Sequence, residues 1–235
     1  VGDRAHHARR PPRRAPGADR HDDLTPAPLF PEESVLVAGR RPSRVRQFAT
    51  ARGCARRSMA ALGLPPVAVP VGAGGAPRWP SGVVGSITHC DGYRAAAAAL
   101  ERDALAVGID AEPAGPLPEG VLGLVASDAE RAALPTAPGI CWDRLLFSAK
   151  EAVYKAWYPG TRRWLGFRDA HLSLYEDGTF AARLLPVDLP PGAVREFTGR
   201  WLVDGGLAVT SVVVGAKVDR PSAERTYSSV APSRR

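Results

Sequence analysis

The chain has 235 residues, 45% of them hydrophobic and 23% charged, and carries a net charge of +7 at neutral pH. This suits one large domain or two small ones, and no apolar run reaches the roughly 20 residues of a membrane-spanning helix. The arginine-bearing N-terminus lacks the apolar stretch of a secretory signal. Cys54, Cys90 and Cys141 fit neither a CxxC pair nor a zinc spacing, so a reducing cytoplasm is the expected home.

The charge is concentrated at the ends. Residues 1–20 hold six arginines against Asp3 and Asp19, and residues 220–235 hold four against Glu224, so the residues between sum to zero. That argues against a global nucleic-acid footprint. Residues 1–25 and 219–235 are expected to be disordered tails.

Ser43–Leu64 reads as the first helix, with Gly63 near its end and Pro65-Pro66 preventing its continuation. Seven arginines lie between Arg40 and Arg57 with no acidic residue among them. Such a face either solubilises the helix or captures phosphate, because guanidinium groups fork onto phosphate oxygens. Val67–Pro77 is predicted as a strand running into the Gly-rich loop Gly72–Pro77.

Val83–Cys90 and Tyr93–Leu100 form a predicted hairpin around Asp91-Gly92. The alanines at 95–99 favour helix by propensity, but the Asp-Gly turn and its flanks predict strand. A meander through Glu101–Asp103 should lead into a third strand, Ala106–Pro113. There Val107, Ile109 and Ala111 share one side, and Gly108, Asp110 and Glu112 the other. Pro113 stops the strand.

Pro113–Pro118 reads as a link between two halves, residues 26–113 and 114–218. Ser127-Asp-Ala-Glu130 is a capping box, which predicts a short helix ending before Pro135. Trp142–Pro159 has helical period, with Leu145, Leu146, Ala149, Ala152, Val153, Ala156 and Trp157 on one apolar face. Glu151 and Lys155 are four apart and therefore neighbours. Lys150 is expected either at a phosphate or in solvent. Two hairpins should follow, His171–Leu185 turning at Asp177-Gly178 and Arg200–Val214 turning at Asp204–Gly206.

Asp110 and Glu112 on a strand, with Glu151 on a helix, could together hold one hard cation. Magnesium takes one or two carboxylates and shares its shell with water and substrate phosphates. Lys155, one turn from Glu151, could meet those phosphates, which suggests metal-assisted transfer at phosphorus. By spacing alone, a solvated strand edge and a surface ion pair are the plainer account.

The residues themselves change that balance. Gly108-Ile-Asp-Ala-Glu112, followed by Phe147-Ser-Ala-Lys-Glu-Ala-x-Tyr-Lys-Ala-Trp157, resembles the signature pair of 4′-phosphopantetheinyl transferases. The likeness is to the large pseudo-dimeric surfactin/enterobactin type, especially its actinobacterial branch. It runs from about Val35 to Val214 and takes in Phe48–Arg56, Trp79–Tyr93 and Trp164–His171.

The resemblance implies an α+β fold of two similar halves with the site between them. It implies transfer of the 4′-phosphopantetheine arm of coenzyme A to a serine of an apo acyl or peptidyl carrier protein, by a monomer using Mg2+ or Mn2+. It also implies that Asp110, Glu112 and Glu151 hold the metal, and that Glu151 and Lys155 are catalytic. Coenzyme A would meet Arg44 and Arg52 with its 3′-phosphate, the loop Val71, Gly72, Ala73 and Gly74 along its nucleotide, and Thr88 and His89 with its other phosphates. Asp110, Glu151, Lys155 and the stretch near Leu165 would complete the cofactor site.

The family commonly carries Lys or Arg at the positions of Val71 and Gly74, and this chain departs at both, with Arg78 the nearest substitute. Two other classes stay open: a nucleic-acid-binding module using the arginines, and a catalytically impaired homologue that binds coenzyme A or a carrier as a scaffold. Fatty-acid, polyketide, nonribosomal-peptide and siderophore carriers are all compatible with the sequence.

Overall fold

A computed structural model describes residues 15–186, 188–189 and 192–216. The fold is mixed α+β, with two sheets that each carry a long helix. No helix among the described residues is long and apolar enough to cross a membrane.

The first sheet has the order β1 (Gly17–Arg20), β3 (Tyr93–Leu100), β2 (Val83–Cys90), all antiparallel. Strand β1 corrects the expectation of an unstructured start. Residues 17–20 pair with Arg94–Ala97, and Asp23 Oδ2 accepts from buried Arg94 Nη2 at 2.7 Å. No apolar period marks this strand because it is mostly exposed and held by its backbone. Residues 1–14 and the expected tail at 219–235 lie outside the described residues.

Helix α1 (Pro31–Val37) leads into α2 (Pro42–Ala60), which starts with proline at a first-turn position. Gly63 takes a left-handed backbone, φ 79°, while Leu64 N–H returns to the Met59 carbonyl. Cys54, Ala55 and Met59 of α2 pack on Ala96 and Ala98 of β3. The next segment differs from expectation. Val67–Pro70 forms no strand, and Val71 meets Pro77 in a single bridge.

The alanines of β3 are strand because both of their faces are covered. Ala97 and Ala99 pack against Val107, and Ala95 against Ala111, of strand β4 (Ala104–Pro113). Small side chains there let the two sheets approach closely.

Strand β4 also departs from the predicted meander. It does not continue the first sheet but forms the edge of the second, in the order β4, β8 (Leu207–Gly215), β7 (Glu196–Asp204), β6 (Thr179–Leu184), β5 (Ala170–Leu174). Toward β2 its amides are met by side chains: Ile109 N–H donates to Ser86 Oγ at 3.1 Å and Ala111 N–H to Thr88 Oγ1 at 3.2 Å. Hydroxyls thus join the two sheets where a backbone ladder was expected.

Helices α3 (Val121–Val125) and α4 (Asp128–Ala132) follow the link, the latter opened by the predicted capping box of Ser127 and Glu130. Helix α5 (Trp142–Thr161) lies on β4 and β8. Its predicted apolar face is buried, with Leu145, Ala149, Ala152 and Val153 fully inside the second core.

Candidate active site

Strand alternation puts Asp110 and Glu112 on the face of β4 that meets α5, the helix that carries Glu151 and Lys155. The face of β4 carrying Gly108, Asp110 and Glu112 turns to α5, while Val107, Ile109 and Ala111 turn to β3. Gly108 makes the close approach possible. A Cβ there would collide with the Ala152 carbonyl oxygen and lie 2.8 Å from Ala156 N. Backbone therefore rests on backbone at Gly108, and side chains one turn along α5 reach Asp110.

Lys155 Nζ donates to Asp110 Oδ1 at 2.7 Å and to Thr88 Oγ1 at 3.3 Å. The Thr88 hydroxyl donates to the same Asp110 oxygen at 3.1 Å and accepts from Ala111 N–H. Thr88 is fully buried, and its one proton and two lone pairs are all in use. Thr88 thereby orients Asp110 and Lys155. Asp110 itself is 4% exposed, and its Oδ2 is buried with no hydrogen-bond partner.

Glu112 Oε2 accepts from Arg144 Nη1 at 3.1 Å. Burial pushes its carboxyl up, the charge of Asp110 adds to this, and Arg144 opposes it. Glu151 is half-buried and makes no hydrogen bond or ion pair among the described residues. Burial raises its carboxyl too; Lys155 works against this, and the charges of Asp110 and Glu112 add to it.

Among the described residues, no three of His, Cys, Asp or Glu are gathered into a closed metal cage. Magnesium needs none, since one or two carboxylates plus substrate phosphates suffice. Asp110 Oδ2, an acceptor buried without a donor, fits such a cation in kind, as does the unpartnered carboxylate of Glu151.

Glu151, Tyr154, Lys155 and Tyr158 line one wall of an open cleft of about 170 Å³, and Gly74–Pro77 with Gly85–Ile87 line the other. Gly74, at φ 63°, sits against Tyr158, where any Cβ would meet the phenol ring. A side chain at position 74 would need a left-handed backbone and a shift of the Tyr158 ring. Val71 is partly exposed, Gly72 extended, and Ala73 opens a single 3-10 turn.

On α2, Arg44 is exposed and donates to His89 Nε2 at 2.9 Å, which requires a neutral imidazole at that nitrogen. Partial desolvation lowers the His89 pKa, and the Arg44 charge lowers it further. Arg52 differs from expectation. It is 6% exposed, its Nε donates to the Val69 carbonyl at 2.5 Å, and its guanidinium lies 4.0 Å from the Phe48 ring centre. Burial lowers its pKa to about 10, so it keeps its charge at neutral pH while tying the loop to the helix.

Two further residues are corrected by their burial. Leu165 is 7% exposed and belongs to the second core, while Trp164 beside it is 78% exposed and stands edge-on to Tyr154 at 5.3 Å. Lys150 meets neither phosphate nor solvent: it is 3% exposed and donates to Glu130 Oε2 at 3.0 Å and to the carbonyls of Phe167 and Ala170.

Arg144 and Tyr158 were not singled out from the sequence. Arg144 was legible in principle, since it lies seven residues before Glu151 and so shares its face of α5.

Residues 32–99 match the 4′-phosphopantetheinyl transferase N-terminal domain, and residues 106–201 match the 4′-phosphopantetheinyl transferase superfamily. The chain is 52% identical over 195 residues to the 4′-phosphopantetheinyl transferase Svp of Streptomyces mobaraensis, covering 80% of this chain and 79% of that protein. It is 47% identical over 202 residues to the 4′-phosphopantetheinyl transferase PptT of Mycobacterium tuberculosis, covering 81% and 87%. It is 50% identical over 194 residues to the 4′-phosphopantetheinyl transferase Npt of Nocardia iowensis, covering 77% and 87%.

Proposed function

The chain belongs to the 4′-phosphopantetheinyl transferase superfamily, and on that premise we propose that the cleft between α5 and the Gly74 loop is its active site. The protein is an enzyme that transfers the phosphopantetheine arm of coenzyme A to carrier proteins. The observation carrying the site is Glu151 and Lys155 on the wall of the cleft, with Lys155 reaching back to the buried Asp110 of β4.

In the proposed reaction a carrier serine Oγ bonds to the phosphorus bearing the pantetheine arm. The bond from that phosphorus to the bridging oxygen breaks, and adenosine 3′,5′-bisphosphate leaves. A serine hydroxyl is a weak nucleophile near neutrality and needs a base. Glu151 takes its proton, directly or through a water, a role supported by its lack of a fixed partner and its raised pKa. Lys155 faces the leaving phosphate and stabilises or protonates it. Asp110, Glu112 and Glu151 are the residues that would hold Mg2+ or Mn2+, and such a cation supplies charge neutralisation on the pyrophosphate.

For coenzyme A, Arg44, His89, the Gly72–Gly74 backbone and Lys155 remain the proposed contacts. Tyr154 and Tyr158 offer an apolar flank suited to the uncharged arm. Arg52 contributes through the loop it anchors. We assign the chain to the large, single-chain surfactin/enterobactin type, acting as a monomer in the cytoplasm. Two sheet-and-helix halves in one chain, relatives from Streptomyces, Mycobacterium and Nocardia, and three free cysteines support this.

The test is intact mass of an apo carrier protein after incubation with enzyme, coenzyme A and magnesium. One added phosphopantetheine arm, abolished by chelation and reduced at least a hundredfold in rate in Glu151→Gln, is the expected result. Bound coenzyme A without any mass gain across several carrier classes would establish a scaffold instead.

A further inference from the structure

Arg144, Ser148, Glu151 and Lys155 are spaced four, three and four residues apart, so they form one stripe along α5. Opposite the stripe runs β4. Lys155 meets Asp110, Ser148 Oγ meets Thr210 Oγ1 at 2.9 Å beside Asp110 in register, and Arg144 meets Glu112. The lower end of this stripe has no place in the reaction described above.

Arg144 is tightly fixed. Its Nε donates to the Gly115 carbonyl at 3.0 Å, its Nη2 to the Pro116 carbonyl at 2.7 Å, and its Nη1 to Glu112 Oε2 at 3.1 Å. One planar guanidinium thus grips two carbonyls of the link and one carboxylate oxygen. Its neighbour Asp143 accepts from Leu117 N–H at 2.8 Å, a second tie to the link that does not touch Glu112. Glu112 Oε1 is left without a hydrogen bond among the described residues.

We propose that Arg144 is a positioning residue for the metal. It anchors one oxygen of Glu112 to a rigid frame and leaves the other to turn toward the cation. Ligating carboxylates are commonly held by such outer partners, whose loss lowers metal affinity about 10- to 100-fold. The inference rests on Glu112 being a metal ligand, and the experiment separates the two.

Mn2+ binding to the full chain, with coenzyme A present, is measured by electron paramagnetic resonance for wild type, Arg144→Gln, Glu112→Gln, the double variant and Asp143→Ala. Arg144→Gln should bind Mn2+ about 10- to 100-fold more weakly. The double variant should be no weaker than Glu112→Gln, because the arginine acts through that carboxylate. Asp143→Ala should bind as wild type does. Unchanged or tighter binding in Arg144→Gln, or an equal loss in Asp143→Ala, overturns the proposal. Full Mn2+ affinity in Glu112→Gln instead overturns the ligand assignment beneath it. Should Arg144→Gln not fold, Arg144→Lys is measured against the same outcomes, since lysine keeps the charge but cannot reach three acceptors at once.

Discussion

Lys150 and Lys155 stand five residues apart on α5, and each meets a carboxylate, yet their surroundings are opposite. Lys150 is sealed among three acceptors, and Glu130 accepts in turn from Ser127 N–H, Ser127 Oγ, Leu172 N–H and Lys150. Every polar group of that cluster is occupied. Around Lys155, Asp110 keeps one buried oxygen unpartnered and Glu151 has no partner at all among the described residues. A satisfied buried network is a strut, whereas an incomplete one at a cleft is a place for a ligand.

The sharpest test of that contrast exchanges each lysine for methionine. Lys150→Met leaves Glu130 buried without its cation, and should cost about 3–5 kcal/mol, lowering Tm by on the order of 10 °C. Lys155→Met also leaves a buried carboxylate, Asp110, without its cation, so it too should lower Tm, but it alone should lower turnover by roughly a hundredfold or more. Thermal melts beside carrier-loading rates would read both, and turnover lost equally in Lys150→Met, beyond its loss of folded protein, would erase the distinction. Next in size is Gly108→Ala, which forces β4 and α5 apart on the Lys155 side only. About 1–3 kcal/mol should be lost, with turnover falling further than the stability loss explains.

The smallest effect separates the regions by pH. Burial alone would raise the Glu130 carboxyl, but hydrogen bonds from Lys150, Ser127 and Leu172 outweigh it and hold it below its ordinary 4.5. Its stabilisation is therefore complete above 4.5 and lost as pH falls through the lower folded value. Urea melts should show the gap between wild type and Glu130→Gln narrowing across that window. A gap constant with pH would mean that the charge of Glu130 contributes nothing.

The sequence made the long elements legible because their signals are local. Strands Val83–Cys90 and Tyr93–Leu100 lie where the Asp-Gly turn placed them, and α5 carries the predicted apolar face. Alternation put Asp110 and Glu112 on one side, and helical spacing placed Glu151 beside Lys155. What was not legible depended on partners remote in sequence. Nothing local says that β4 joins β8 rather than β3, that Thr88 is consumed by Asp110 and Lys155, or that Lys150 has Glu130 waiting 20 residues upstream. Thr88, Arg52 and Lys150 share one cause: a polar side chain that looks free in sequence finds a buried partner in the fold.

Strand β1 has a practical consequence for where the chain can be shortened. The family match begins at residue 32, so a cut there would seem to spare everything that matters. It would instead unpair the outer edge of β3 at Arg94–Ala97 and take away Asp23, the partner of Arg94. An open strand edge is a template for pairing with another chain, so trimming to residue 32 trades a shorter protein for a stickier one.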